Sequence, residues 1–136
     1  MVGDLSPTRD FNFVKDTCRG FLAIARSQDG GHIEEVEEEG GAGEEINIAT
    51  GKEVTMKETL ETIARLMDAD IRWTVDPQRL RPSKSEVRRL LGDSTKLREL
   101  TGWKPQFPLE EGLRQTISWF TDKDNLKMYK SDIYNQ

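Results

Sequence analysis

Apolar and polar positions first alternate over residues 9–14, where Phe11 and Phe13 share one side, and this period of two predicts a short strand. Asp16 follows as a helix N-cap, and the predicted helix runs to about Ser27 with Cys18, Phe21, Leu22 and Ala25 on its apolar face. After a polar stretch, Glu45-Ile46-Asn47-Ile48-Ala49 reads as a second strand closed by Gly51. Thr55-Met56-Lys57-Glu58 then has capping-box spacing, opening a helix whose apolar face is Met56, Leu60, Ile63, Ala64 and Met67. Ile71-Arg72-Trp73-Thr74-Val75 alternates again and is closed by Asp76-Pro77, after which no regular pattern returns until about Val87. Asp93 or Ser94 can cap a short helix through Leu97 and Leu100. A last helix after Pro108 places Leu109, Leu113, Ile117 and Phe120 on one face. The pattern predicts a small α/β or α+β unit, a small mixed sheet with about four helices. Residues 1–136 are expected to form a single lobe with a flexible acidic loop at about 28–44 and a loose tail after about 121.

Composition adjusts this picture in two ways. With 136 residues and 35% hydrophobic content, the core is modest and the lobe is expected to lean on a partner lobe for burial. The net charge of -5 is local, because seven acids lie between Glu34 and Glu45 and the rest of the chain holds 20 basic against 18 acidic residues. Such a glutamate and glycine run is expected to be a solvated loop. No apolar run approaches the length of a membrane span, so a soluble, cytoplasmic protein is expected. The single cysteine, Cys18, has no internal disulfide partner and reads as core packing, and His32 has no second histidine or cysteine nearby to hold a metal.

Candidate chemistry concentrates on arginine. A guanidinium donates two parallel hydrogen bonds to phosphate oxygens and stays charged at any cellular pH. Arg9 opens a strand, a rigid mount, and Arg81 precedes a proline that holds its backbone extended. On residue type alone, either could equally be a surface arginine. Arg79, Lys84, Arg88 and Arg89 make the surrounding loop the most basic segment, able to steer an anion or simply to form a solvated face. Trp103 and Trp119 read as core anchors, with Trp73 open. The glycine cluster Gly40-Gly41-Ala42-Gly43 lies in the acidic loop rather than between a strand and a helix, and neither tyrosine has a lysine four residues on.

Two motifs, Thr8-Arg9-Asp10-Phe11-Asn12-Phe13-Val14-Lys15-Asp16 and Arg81-Pro82-Ser83-Lys84-Ser85-Glu86-Val87, are followed by Asp93-Ser94-Thr95-Lys96 and Gly102-Trp103-Lys104-Pro105. Together they resemble the C-terminal, substrate-binding lobe of an extended short-chain dehydrogenase/reductase of the NAD-dependent nucleotide-sugar epimerase/4,6-dehydratase family. The resemblance covers about Thr8 to Phe120. It implies that Arg9 and Arg81 clasp a substrate pyrophosphate and that Glu86 accepts from a nucleotide ribose hydroxyl. Glu86 stands five residues after Arg81 where many relatives place the acid three after, so a capping or surface role remains open for it.

The resemblance further implies NAD or NADP in a full-length enzyme, held by a Rossmann domain this chain lacks. The chain itself is expected to carry no cofactor, no metal and no catalytic residue, and to be inactive alone. A dehydratase acting on hexose or N-acetylhexosamine nucleotides is the favoured kind, from the Arg81 motif and the ending Tyr129-Lys130-Ser131-Asp132-Ile133-Tyr134-Asn135. The expected partners are a nucleotide diphosphate sugar and the Rossmann domain, not nucleic acid or membrane, with a homodimer left open. Two other readings compete: a non-catalytic interaction or scaffolding domain, and a polyphosphate or nucleic-acid-binding module built on the Arg79–Arg89 segment and three tryptophans.

Overall fold

Among the described residues, three two-residue strands form a sheet in the order β2-β1-β3: β1 is Thr8–Arg9, β2 is Val54–Thr55 and β3 is Arg89–Leu90. The computed structural model describes residues 1–29, 45–80 and 87–127. β1 is central, antiparallel to β2 and parallel to β3, so Arg9 stands opposite Val54 on one side and Leu90 on the other. The sheet is mixed, as the sequence pattern predicts.

Among the described residues the chain forms five α-helices: α1 (Val14–Asp29), α2 (Met56–Leu66), α3 (Thr95–Thr101), α4 (Leu109–Thr121) and α5 (Lys123–Leu126). The α2 start follows the capping box read from sequence. Thr55 Oγ1 accepts from Glu58 N at 3.0 Å, and Glu58 Oε2 accepts from Thr55 N at 2.8 Å. Ser94 stands at the N-cap of α3 without a side-chain bond, while the Asp93 carboxylate accepts from Thr95 N at 2.9 Å. Gly102 ends α3 at φ 69°, a left-handed turn that a residue with a Cβ adopts only under strain.

α1 packs on α3, and α2 packs on α4. Among the described residues, Ala49, Leu97 and Trp103 are the buried large or aliphatic side chains, joined by Pro7, and polar Asp16, Thr59 and Ser94 are buried with them. Asp16 departs from its expected role. α1 begins two residues earlier, at Val14, so Asp16 lies within the first turn, fully buried. Its carboxylate accepts from Gln106 N and Phe107 N at 3.0 Å and from Arg19 Nη1 at 2.6 Å. A buried carboxylate demands such donors, and here they tie α1 to the segment that leads into α4.

Other expectations need correction. Residues 45–49 form no strand, and residues 71–75 contribute only a bridge in which Val75 pairs in parallel with Val2. Alternation marks a chain that could pair, but among the described residues neither stretch has a neighbour along its length to close a ladder. Cys18 is exposed, not core. So are Phe21 and Leu22, at 63% and 54%, because α1 turns its small residue inward: a Cβ on Gly20 would fall 2.8 Å from Ile48 Cδ1. Trp119 is also exposed, whereas Trp103 is buried as expected.

Candidate functional site

The site is built outward from β1. Its central position holds Arg9 between two strands, and Arg9 Nη1 donates to Thr8 O at 2.7 Å and to Val87 O at 2.8 Å. Val87 is the first described residue after the Arg81–Glu86 segment, so Arg9 is tethered to the residue that directly follows that segment in the chain. Arg81 and Glu86 themselves lie outside the described residues, as do Lys84, His32 and most of the acidic loop.

Two carboxylates that residue type alone did not single out brace this mount. Asp10 accepts from Thr50 N at 3.1 Å, from Gly51 N at 2.9 Å, from Gly92 N at 3.3 Å and from Thr50 Oγ1. One side chain thereby fastens the end of β1 to two loops, those after residue 49 and after β3. Gly92 is required there by proximity, since a Cβ would fall 2.3 Å from Ala49 Cβ. Across the sheet, Glu53 accepts from Thr8 Oγ1 at 2.8 Å and pairs with Arg89 Nη2 at 2.7 Å, linking the segment before β2 to β1 and β3. The Arg89 hydrogen bonds, and then that from Thr8, hold the Glu53 carboxyl below its ordinary range. Asp10 stands in the Arg-Asp-Phe motif, but its partners lie 40 to 82 residues further on, and spacing carries no sign of them.

Beside the sheet, a cleft of about 370 Å³ is lined by Phe11, Thr50, Lys52, Glu53, Val54 and the Pro105–Leu109 turn. A second cleft, of about 640 Å³, lies between the start of α1 and the end of α4, with Asn12, Phe13, Val14 and Lys15 facing Gln115, Thr116, Trp119 and Phe120. Lys15 donates to Gln115 Oε1 at 2.8 Å, and Asn12 Nδ2 donates to Thr17 Oγ1 at 2.8 Å. Of the basic residues near the Arg81 segment, Arg89 is held by Glu53, and Arg79 lies 3.5 Å from Asp76. The steering face foreseen there is thus partly committed to internal pairs.

The displaced carboxylates, Glu53 and Glu110 among them, all shift downward and stay ionised, which suits bracing rather than proton transfer. Among the described residues, no group of histidine, cysteine, aspartate or glutamate side chains could hold a metal ion. No helix among them is long and apolar enough to cross a membrane. What the arrangement can do is present a rigidly mounted guanidinium.

A partial α/β lobe with an arginine on its central strand defines a class, and the match to known proteins fixes it. The GDP-mannose 4,6 dehydratase family model matches residues 1–116, and the chain belongs to that family. It corresponds to the C-terminal lobe of NAD-dependent epimerases and dehydratases of the extended short-chain dehydrogenase/reductase type. The chain is 34% identical over 123 residues to the UDP-glucose 4-epimerase of Mycolicibacterium smegmatis, covering 90% of this chain and 34% of that protein. Among solved structures, it is similar to the RMD of Pseudomonas aeruginosa complexed with NADPH, at TM-score 0.69 and 28% identity, over 86% of this chain and 34% of that one. It is also similar to the UDP-glucose 4-epimerase of Thermotoga maritima with UDP-glucose, at TM-score 0.66 and 30% identity, over 88% of this chain and 33% of that one. The chain spans about a third of the length of the curated relatives it matches.

Proposed function

We propose that this chain is the substrate-binding portion of an NAD-dependent nucleotide-sugar 4,6-dehydratase or epimerase. It holds a nucleotide diphosphate sugar through Arg9 and Arg81, with Glu86 on the ribose, while chemistry occurs on a dinucleotide-binding lobe. The observation that carries the reading is the Arg9 mount: a guanidinium on the central strand, braced through Asp10 and bonded to Val87 at the exit of the second arginine motif. Fixing a substrate before reaction saves the entropy that would otherwise be lost in the transition state. That contribution requires no catalytic group on this lobe. NAD or NADP supplies hydride transfer when bound by the other lobe. The UDP-glucose of the Thermotoga maritima structure supports the substrate class.

NMR titration of the chain with UDP-glucose, GDP-mannose and dTDP-glucose tests the proposal. Saturable shifts at Thr8–Asp10 and Val87–Leu90 are expected for at least one of them, with a weaker response to the matching nucleoside monophosphate. Equal responses to the diphosphate sugar and the monophosphate would remove the clasp.

A further inference from the structure

Between α1 and the end of α3 lies a third cleft, of about 280 Å³, lined by Arg19, Leu22, Ala23 and Arg26 on one side and by Thr101, Gly102 and Trp103 on the other. It shares no residue with the Arg9 mount or with the other two clefts. Arg19 and Arg26 stand two turns apart on α1, about 10 Å along the axis, so they lie on one side of the helix. Leu22 and Ala23, between them, present no competing polar side chain.

Three observations point to an anion. Arg19 is set in place by the buried Asp16 carboxylate, to which its Nη1 donates at 2.6 Å, and the same Nη1 lies 3.5 Å from Lys104 O. Its Nε and Nη2 have no acceptor among the described residues. Arg26 is exposed and makes no ion pair or side-chain hydrogen bond among the described residues. Trp103 is 4% exposed, and its indole Nε1–H is buried without an acceptor among the described residues. A buried donor left unmade costs about 1–3 kcal/mol, so such a group calls for a partner.

The carbonyls at the end of α3 do not compete for these donors. Leu97 O accepts from Thr101 Oγ1 at 2.7 Å, and Arg98 O accepts from Gly102 N at 2.8 Å. No carboxylate is among the residues that line the cleft. It therefore gathers positive charge and unused N–H groups beside a wall of Leu22 and Ala23. A carboxylate brings two oxygens, whereas a tetrahedral oxyanion brings three or four and can serve two guanidinium forks and a further N–H together.

We propose that this cleft binds a small tetrahedral oxyanion, a phosphate ion or the phosphate group of a monoester, held by Arg19 and Arg26 with the Trp103 indole as third donor. The site is separate from the diphosphate clasp on β1 and does not depend on it.

The Trp103 indole N–H reports occupancy, as one of three such groups in the chain. In NMR spectra of the isotope-labelled chain, Trp73→Phe and Trp119→Phe identify its resonance by elimination. The chain is titrated with sodium phosphate while sodium chloride holds the ionic strength at about 0.15 M. A saturable shift of this resonance with a Kd below about 10 mM is expected. Arg26→Gln changes an exposed side chain and leaves Arg19 on Asp16, and it should raise the Kd at least about tenfold. Arg9→Ala and Lys123→Gln should leave the Kd unchanged, which separates this cleft from the diphosphate clasp and from general attraction to basic residues. Glycerol phosphate binding more tightly than phosphate would assign the monoester as occupant, and equal binding the free ion. A shift linear in phosphate, preserved in Arg26→Gln or matched by acetate would overturn the proposal. So would the absence of a shift, the result expected if the chain's own glutamates held the two arginines.

Discussion

Arg9 and the two acids around it illustrate how one residue's role depends on distant ones. Asp10 collects three backbone donors and one hydroxyl from residues 50, 51 and 92, none of them near it in sequence. Asp10→Ala would strand those donors, and a loss of about 2–3 kcal/mol in urea unfolding is expected from unsatisfied partly buried groups. Asp16 is a parallel case with greater burial. Asp16→Ala removes the acceptor for Gln106 N and Phe107 N and takes the carboxylate away from Arg19, so a loss of about 3 kcal/mol is expected. The sequence allowed Asp16 as a cap because capping is a local interaction. The backbone donors it accepts from, Gln106 N and Phe107 N, lie 90 and 91 residues away, beyond the reach of any local pattern. The same limit hides the bracing by Glu53, whereas Arg9 was legible as a candidate because its chemistry belongs to its own side chain. Arg81 and Glu86 remain candidates by motif alone, outside the described residues.

At the scale of elements, helices were more legible than strands. α2 announces itself through Thr55 and Glu58, and α4 through its stripe after Pro108, because caps and helical periodicity are written within a dozen residues. Strands of two residues carry no period to read, and alternation at 45–49 and 71–75 does not supply the neighbour a ladder needs. Residues 46–49 are accordingly expected to exchange their amides faster than α4 at every protein concentration. Strong, concentration-independent protection there would contradict the absence of a ladder. Elements are also joined by ion pairs with a definite pH response. Glu110 is held below its ordinary value of 4.5, first by the hydrogen bond from Arg65 that links α4 to α2, and Glu53 is lowered in the same direction by Arg89. A carboxyl depressed in the folded state contributes stability above its unfolded value and loses it as pH falls through the folded one. Urea midpoints should therefore hold steady from neutrality to about pH 5 and decline below 4.5, and Glu110→Gln should flatten the decline.

At the scale of the whole molecule, the described residues form a small α/β lobe with much exposed apolar surface. Its buried apolar set is small, and its longest helix shows solvent the face that sequence periodicity assigned to a core. Periodicity identifies an apolar face but not what covers it, which is why the helix was legible and its neighbour was not. The glycine-rich fingerprint and the tyrosine-lysine pair expected of a catalytic lobe are not found in the sequence, so the purified chain supplied with NAD is expected to turn over neither UDP-glucose, GDP-mannose nor dTDP-glucose.

Calorimetric titration of Arg9→Ala and Arg81→Ala against the nucleotide diphosphate sugar that the wild-type chain binds tests the diphosphate clasp most directly. Each substitution is expected to weaken binding by about 1.5–3 kcal/mol, the range for a hydrogen bond to a charged group, with the fold retained by circular dichroism. Unchanged affinity in both variants would contradict the clasp, and with it the assignment of this lobe to holding the nucleotide diphosphate.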